Sequence, residues 1–308
     1  MRALLVVNPT ATATSARVRD VLIRALGSDL KLDVAETGHR GHAVVLAEQA
    51  ALDGFGMVVA LGGDGTVNEV INGVMRVPDP QSRPAVAVVP GGSANVLSRL
   101  LGQPADPVET TSVVLEALRT GRRRTISLGR AGDRYFTFCA GLGIDAEVVS
   151  LVEQRRAGGA VATPALYARA AVRHYFAGTD RRHARLRVEL PGEPAVDGLA
   201  MAIVQSTAPW TYCGSRPLNP SPDAGFDTGL DLFALRRLRT FSTLRAVLQM
   251  ASSNPAGPRG RQVVRRHDLA ELTVAASAPL ALQLDGDYCG ERERVVLTSV
   301  PAALSLVV

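Results

Sequence analysis

The chain has 308 residues, 46% of them hydrophobic, and a formal net charge of +5 at a sequence pI of about 9.5. That is enough apolar material for one large domain or two of ordinary size. No apolar run reaches the length of a membrane span, and the opening MRALLVVNPT is too short in its apolar part for a signal peptide. Cys139, Cys213 and Cys289 are far apart and form no CxxC pair, which argues against a disulfide framework or zinc site and fits a reducing, cytoplasmic setting. Lys31 is the only lysine, and its context SDLKLDV matches neither a Walker A loop nor a protein-kinase strand. A nucleotide here must be held by backbone amides, metal or arginine.

In chain order, strand-like runs at Ala3–Val7, Leu32–Ala35, Met57–Leu61 and Ala85–Val89 alternate with helical patterns at Ala16–Leu26, His42–Leu52, Val67–Met75 and Ala94–Leu101. This predicts βαβ units and a doubly wound parallel sheet covered on both faces. A further helix over Val108–Leu118 stops at Gly121, and the character changes near Gly121–Thr125. Ile126–Leu128 and Tyr135–Cys139 flank the hairpin signal Ala131-Gly132-Asp133. Strands are expected at Leu186–Leu190, Leu199–Val204, Leu230–Leu235, Leu272–Ala275, Leu280–Leu284 and Val295–Thr298. Helices are expected near Ala146–Arg155, Pro164–Phe176 and Thr240–Met250. The second half therefore reads as mostly antiparallel β.

Two glycine turns lie at the carboxyl ends of parallel strands, where open α/β sheets bind ligands. In Gly62-Gly63-Asp64-Gly65-Thr66-Val67-Asn68-Glu69, the glycines let backbone approach a ligand closely. Thr66 with Glu69 reads as a capping box that starts a helix at Val67, whose first amides would favour an anion. Asp64 would repel a phosphate unless a divalent cation lies between them, which points to Mg²⁺. The second turn is Pro90-Gly91-Gly92-Ser93, with Ser93 expected to cap a helix from Ala94. Read alone, the DGD of residues 285–287 is a hairpin turn, and Asp145 in AGLGID is a helix N-cap.

These motifs resemble the diacylglycerol-kinase catalytic fold of bacterial lipid kinases, shared with sphingosine and ceramide kinases. The matching stretches are Val6-Val7-Asn8-Pro9, Thr37 with Gly41-His42-Ala43, GGDGTVNEVINGV from Gly62, PGGSANVLSRLLG from Pro90, AGLGIDAEV from Ala140, DTGLDL from Asp227 and LDGDYCG from Leu284. The resemblance implies an α/β ATP-binding domain over residues 1–123, to which residues 303–308 can return. It also implies a β-rich lipid-substrate domain over 124–302, with the active site in the interdomain cleft. Nucleotide contacts carried over from it fall on Asn8, Thr37, Gly62, Gly63, Asp64, Gly65, Thr66, Val67, Asn68, Gly92 and Ser93. Its structural Mg²⁺ site maps to Asp227 with carbonyls near Ala224 and Gly229. Its D-G-E base motif maps to Asp285-Gly286-Asp287, so the catalytic set would be Asp287, Asp285 and Asp64. Departures from the family pattern are Thr12 and Thr228 in place of glycines, Val96 in place of aspartate, and Asp287 in place of glutamate.

The expected reaction is ATP- and Mg²⁺-dependent phosphorylation of the primary hydroxyl of diacylglycerol or a similar lipid. An NAD kinase-like small-molecule kinase shares a GGDG turn, and an inactive lipid- or nucleotide-binding relative would fit the departures. PGGSAN and the N-E-x-x-N-G run favour the lipid branch. Arginines cluster at Arg122–Arg124, Arg181–Arg187, Arg236–Arg239 and Arg259–Arg266. With only 4% aromatics and no recognition module, nucleic acid is not the expected partner. A lipid substrate at a membrane surface and anionic phospholipid are, with peripheral attachment and with homodimerisation left open.

Overall fold

The computed structural model describes residues 1–12, 14–158, 163–179, 184–252 and 254–308. The chain packs as two compact units, residues 1–126 with 302–308 and residues 127–301. The first unit begins with β1 (Arg2–Val7), α1 (Ala16–Asp29), β2 (Lys31–Glu36), α2 (His42–Leu52), β3 (Met57–Gly62) and α3 (Asp64–Met75). It continues with β4 (Ala85–Pro90), α4 (Val96–Leu100) and α5 (Pro107–Thr120). The strands run parallel in the order β2-β1-β3-β4, and Leu306 near the chain's end pairs in parallel with Val86 of β4. Strands β3 and β4 are buried along their whole length, as continuous Val/Ala/Leu runs demand when helices cover both faces. Leu5, Leu22, Leu26, Met57, Val59, Val89 and Val114 form the core on one face.

Helices α2 and α3 lie against each other so closely that a Cβ at Gly73 would meet the Val44 carbonyl at 2.3 Å. Helix α5 has a full set of end signals. Asp106 accepts from the amides of Val108 and Glu109 at 2.9 Å, Pro107 opens the helix, and Gly121 closes it at φ 69°.

The second unit holds β5 (Arg123–Ala131, which enters from the first), β6 (Arg134–Phe136), β7 (Cys139–Gly143), α6 (Ile144–Ala157) and α7 (Pro164–Ala177). Then come β8 (Leu186–Glu189), β9 (Val196–Leu199), β10 (Met201–Gln205), β11 (Thr211–Cys213), β12 (Arg216–Leu218) and β13 (Leu230–Leu235). It ends with α8 (Thr240–Met250), β14 (Val263–Leu269), β15 (Glu271–Leu284) and β16 (Asp287–Val307), whose last residues belong to the first unit. Its main sheet is antiparallel in the order β14-β13-β10-β7-β15-β16. Phe136, Leu142, Val204, Leu232, Val274 and Leu297 are in its core.

Several elements differ from the sequence reading. The two runs Leu272–Ala275 and Leu280–Leu284 are one strand, β15, with register shifts against β16 in between. The run Leu199–Val204 is split into β9 and β10. Strand β14 carries Arg265, Arg266 and His267 in a half-exposed sheet position, so its composition hides it. Arg181 and Arg182 of the second arginine cluster lie outside the described residues.

Candidate functional site

In the first unit the two glycine turns touch. The Gly91 amide donates to the Gly62 carbonyl at 2.7 Å. A Cβ at Gly92 would lie 2.6 Å from the Gly63 Cα, so only glycine fits that approach. The turns at the ends of β3 and β4 therefore form one glycine-lined floor. At its edge, Asn8 at the end of β1 donates to the Thr66 hydroxyl at 2.9 Å and accepts from the Thr10 amide and hydroxyl. The amide of Thr37, at the end of β2, donates to the Val7 carbonyl at 2.8 Å. Asn8, Thr37, Gly62–Asn68 and Gly92–Ser93 thus cluster at the carboxyl ends of adjacent parallel strands.

Helix α3 begins at Asp64, three residues earlier than the capping box predicts, with Gly63 as its N-cap. Asp64 sits in the first turn, where a carboxylate is favoured by the helix dipole and the first amides lack helical acceptors. Thr66 and Glu69 do not cap α3. The Thr66 hydroxyl is engaged by Asn8, and the Glu69 carboxylate accepts from the amides of Gly41 and Ala43 at 2.7 and 3.2 Å. Glu69 thereby caps α2, which has no cap from its own Gly41 side. Glu69→Ala is expected to destabilise the protein by about 1–2 kcal/mol, read from the urea midpoint, because two amides at a helix start lose their acceptor. Asn68 is 2% exposed, and its carbonyl and side-chain oxygen accept from Asn72. Ser93 does not cap a helix either. Helix α4 starts at Val96 after Asn95 in a left-handed conformation, and the Asn95 amide group closes back on Gly92 in both directions, at 2.9 and 2.7 Å.

In the second unit, Asp285 and Gly286 form the two-residue turn between β15 and β16, at φ 50° and 81° with Leu284 opposite Asp287. The turn sends the two carboxylates apart. Asp285 is 4% exposed and accepts from the amides of Thr137, Phe138 and Cys139 and from the Thr137 hydroxyl, at 2.6–3.1 Å. Burial pushes its carboxyl above the ordinary carboxylate value, while these donors pull the other way. Asp287 instead meets the Arg134 guanidinium at 2.7 Å, with 18% of its side chain exposed. Arg134 lies just after the Gly132-Asp133 turn, and nothing in the sequence marks it as this partner.

Asp145 is not an N-cap. Gly143 precedes α6, and the Asp145 carboxylate accepts from Gln283 Nε2 at 2.8 Å while Gln283 Oε1 accepts from the Gly286 amide. Burial pushes the Asp145 carboxyl up to about 6, against the lowering effect of Gln283. A raised folded value means that stability is fullest below the unfolded value of 3.8 and is lost as pH rises towards 6. Asp145→Asn is expected to remove that loss, gaining about 2–3 kcal/mol relative to wild type between pH 4 and pH 7, measured by urea unfolding at both.

The residues proposed for the structural metal fall in the turn before β13. The Ala224 carbonyl already accepts from the Ala208 amide at 3.3 Å, and the Gly229 amide donates to Asp268. The Thr228 hydroxyl bridges back to Gly225. Among the described residues no group of three or more His, Cys, Asp or Glu is arranged to hold a metal. A single carboxylate such as that of Asp64 suits Mg²⁺ only as one ligand beside phosphate oxygens and water.

The first unit is a parallel α/β unit with paired glycine turns, and the chain continues into an antiparallel β unit. The diacylglycerol kinase catalytic domain model matches residues 2–131. The chain is 30% identical over 300 residues to the "Probable lipid kinase YegS-like" protein of Chromohalobacter salexigens, covering 96% of this chain and 89% of that one. It is 25% identical over 292 residues to the diacylglycerol kinase of Staphylococcus aureus, covering 94% and 87%. A Bacillus anthracis diacylglycerol kinase crystal structure superposes with a TM-score of 0.71 at 16% identity, covering 99% of this chain and 96% of that one. Another structure from that organism gives 0.77 at 17% identity. The chain belongs to the diacylglycerol kinase catalytic domain family. Membership implies a lipid kinase that uses ATP.

Proposed function

We propose that this protein transfers the γ-phosphoryl group of ATP to the primary hydroxyl of diacylglycerol or a closely similar lipid. The observation that carries the reading is the contact of the two glycine turns, Gly91 to Gly62 and Gly92 against Gly63, beside the first amides of α3. That floor offers a triphosphate close backbone approach and the amides of a helix start, which lack helical acceptors, without a lysine. Mg²⁺, held by Asp64 and by the phosphates themselves, would supply charge neutralisation of the nucleotide. Asn8 holds Thr66 and so fixes the edge of the floor. Asp287 is the base: the lipid oxygen attacks the γ-phosphorus, the bond to the β–γ bridging oxygen breaks, ADP leaves, and the hydroxyl proton passes to the Asp287 carboxylate. Arg134 orients that carboxylate. Asp285 serves a different purpose, which is to hold the 137–139 backbone.

The PGGSAN turn and the long antiparallel unit support a lipid acceptor over NAD. Transfer of labelled γ-phosphate from ATP to a panel of lipids in mixed micelles, with NAD as a competing acceptor, tests it. Labelled phosphatidic acid is the expected product. Labelled NADP alone would replace the reading, and no transfer to any acceptor with ATP still bound would make the chain an inactive relative.

A further inference from the structure

Helix α8 turns only part of its surface inward. Ala246 and Met250 are buried, whereas Phe241 is 90% exposed, Leu248 62%, Leu244 55% and Val247 44%. Spacings of three, four and seven residues put these four side chains on one side of the helix. A cluster of this size is not the usual scatter of single exposed hydrophobes.

Along the chain, the charges flanking α8 have one sign. Between Asp231 and Asp268 the chain has eight arginines and no acidic residue. Some other arginines of this unit are paired: Arg187 with Asp197, Arg265 with Asp223, Arg266 with Glu193 and Arg294 with Glu189. Arg237 and Arg239, just before α8, and Arg245 within it are exposed, and their side chains make no ion pair or hydrogen bond among the described residues. The start of α8 is anchored, since the Tyr175 hydroxyl of α7 donates to the Leu238 carbonyl at 2.8 Å.

We propose that this face of α8 docks the protein on an anionic lipid surface, Phe241, Leu244 and Leu248 entering the headgroup boundary and Arg237, Arg239 and Arg245 meeting lipid phosphates. An apolar face rimmed by arginines without ion pairs, and no helix long and apolar enough to cross a bilayer, both among the described residues, match the chemistry of an interfacial helix. A water-soluble protein partner would have to supply both a hydrophobic groove and a surplus of carboxylates. The proposal deepens the lipid-kinase reading, on which it rests for its occupant.

The test is sedimentation with vesicles of phosphatidylglycerol in phosphatidylcholine against pure phosphatidylcholine, without ATP, at low and at physiological salt. Wild type is expected to partition to the anionic vesicles and to weaken as salt rises, since screening acts over about 8 Å at physiological ionic strength. The triple variant R237Q/R239Q/R245Q is expected to lose about a hundredfold in partition, roughly fivefold for each charge. F241S/L248S is expected to lose about tenfold or more. Both variants should keep the wild-type circular dichroism and urea midpoint, since every changed side chain is exposed. Equal binding of wild type to neutral and anionic vesicles, or variants that bind like wild type, overturns the proposal. So does a wild-type dimer in light scattering that F241S/L248S converts to monomer, because the face would then belong to a second copy of the chain. Loss of vesicle binding in both variants supports the docking surface even if no lipid is phosphorylated, in which case the kinase reading fails alone.

Discussion

Asp287→Asn is expected to lower kcat by about 10²–10⁴-fold while ATP affinity stays near wild type, because a positioned base contributes about that much. Asparagine has almost the shape of aspartate, and its carbonyl oxygen can still accept from Arg134, so the fold should persist. Its neighbour two residues earlier should behave in the opposite way. Asp285→Asn places an NH₂ group where backbone amides of Thr137, Phe138 and Cys139 all need acceptors. At least one buried N–H loses its partner, which costs about 3 kcal/mol or more in stability. The pair is measured by steady-state kinetics and urea unfolding on each variant. An Asp287→Asn enzyme with wild-type kcat, beside a folded and inactive Asp285→Asn, would move the base to Asp285.

Asp64→Asn is the second large effect. The residue stands in the first turn of α3, where asparagine is also well tolerated and the lost charge–dipole interaction is worth only about 0.3–1 kcal/mol. Stability should therefore change little. Turnover should fall by about 10²–10³-fold, since a cation at the phosphates supplies several kcal/mol of charge stabilisation. The expected signature is loss of turnover at every Mg²⁺ concentration. Activity that climbs with Mg²⁺ as in wild type would remove Asp64 from the metal's surroundings.

The parallel first unit was legible because both of its faces are covered. Its strands are short continuous apolar runs, and α2, α4 and α5 are followed by Gly54, Gly102 and Gly121 at positive φ, although α1 runs through Gly27 to Asp29 and α3 ends at Met75 with no glycine. The glycine turns were legible for the same reason, since a Cβ at Gly92 has no room. Side-chain partners were not. Thr66 and Glu69 have capping-box spacing, yet each finds a better partner in space: Asn8 from another strand, and the start of α2. Ser93 looks like a cap until Asn95 folds back on Gly92. Local spacing proposes hydrogen bonds, but long-range packing chooses among them. The second unit was less readable, because half-exposed strands such as β14 carry arginines and lack an apolar run. The Arg134–Asp287 pair joins positions 153 residues apart, and no single-sequence pattern reports it.

Residues 302–308 return to the first unit beside β4, with Leu304, Leu306 and Val307 almost fully buried. This sets an order on biosynthesis. The first unit is made first, but the strand that completes its sheet is translated only after all of the second unit. Until residues 302–308 emerge, β4 has an open apolar edge, the kind of surface on which nascent chains aggregate or recruit chaperones. Truncation before Ala302 would therefore damage the unit that was translated first.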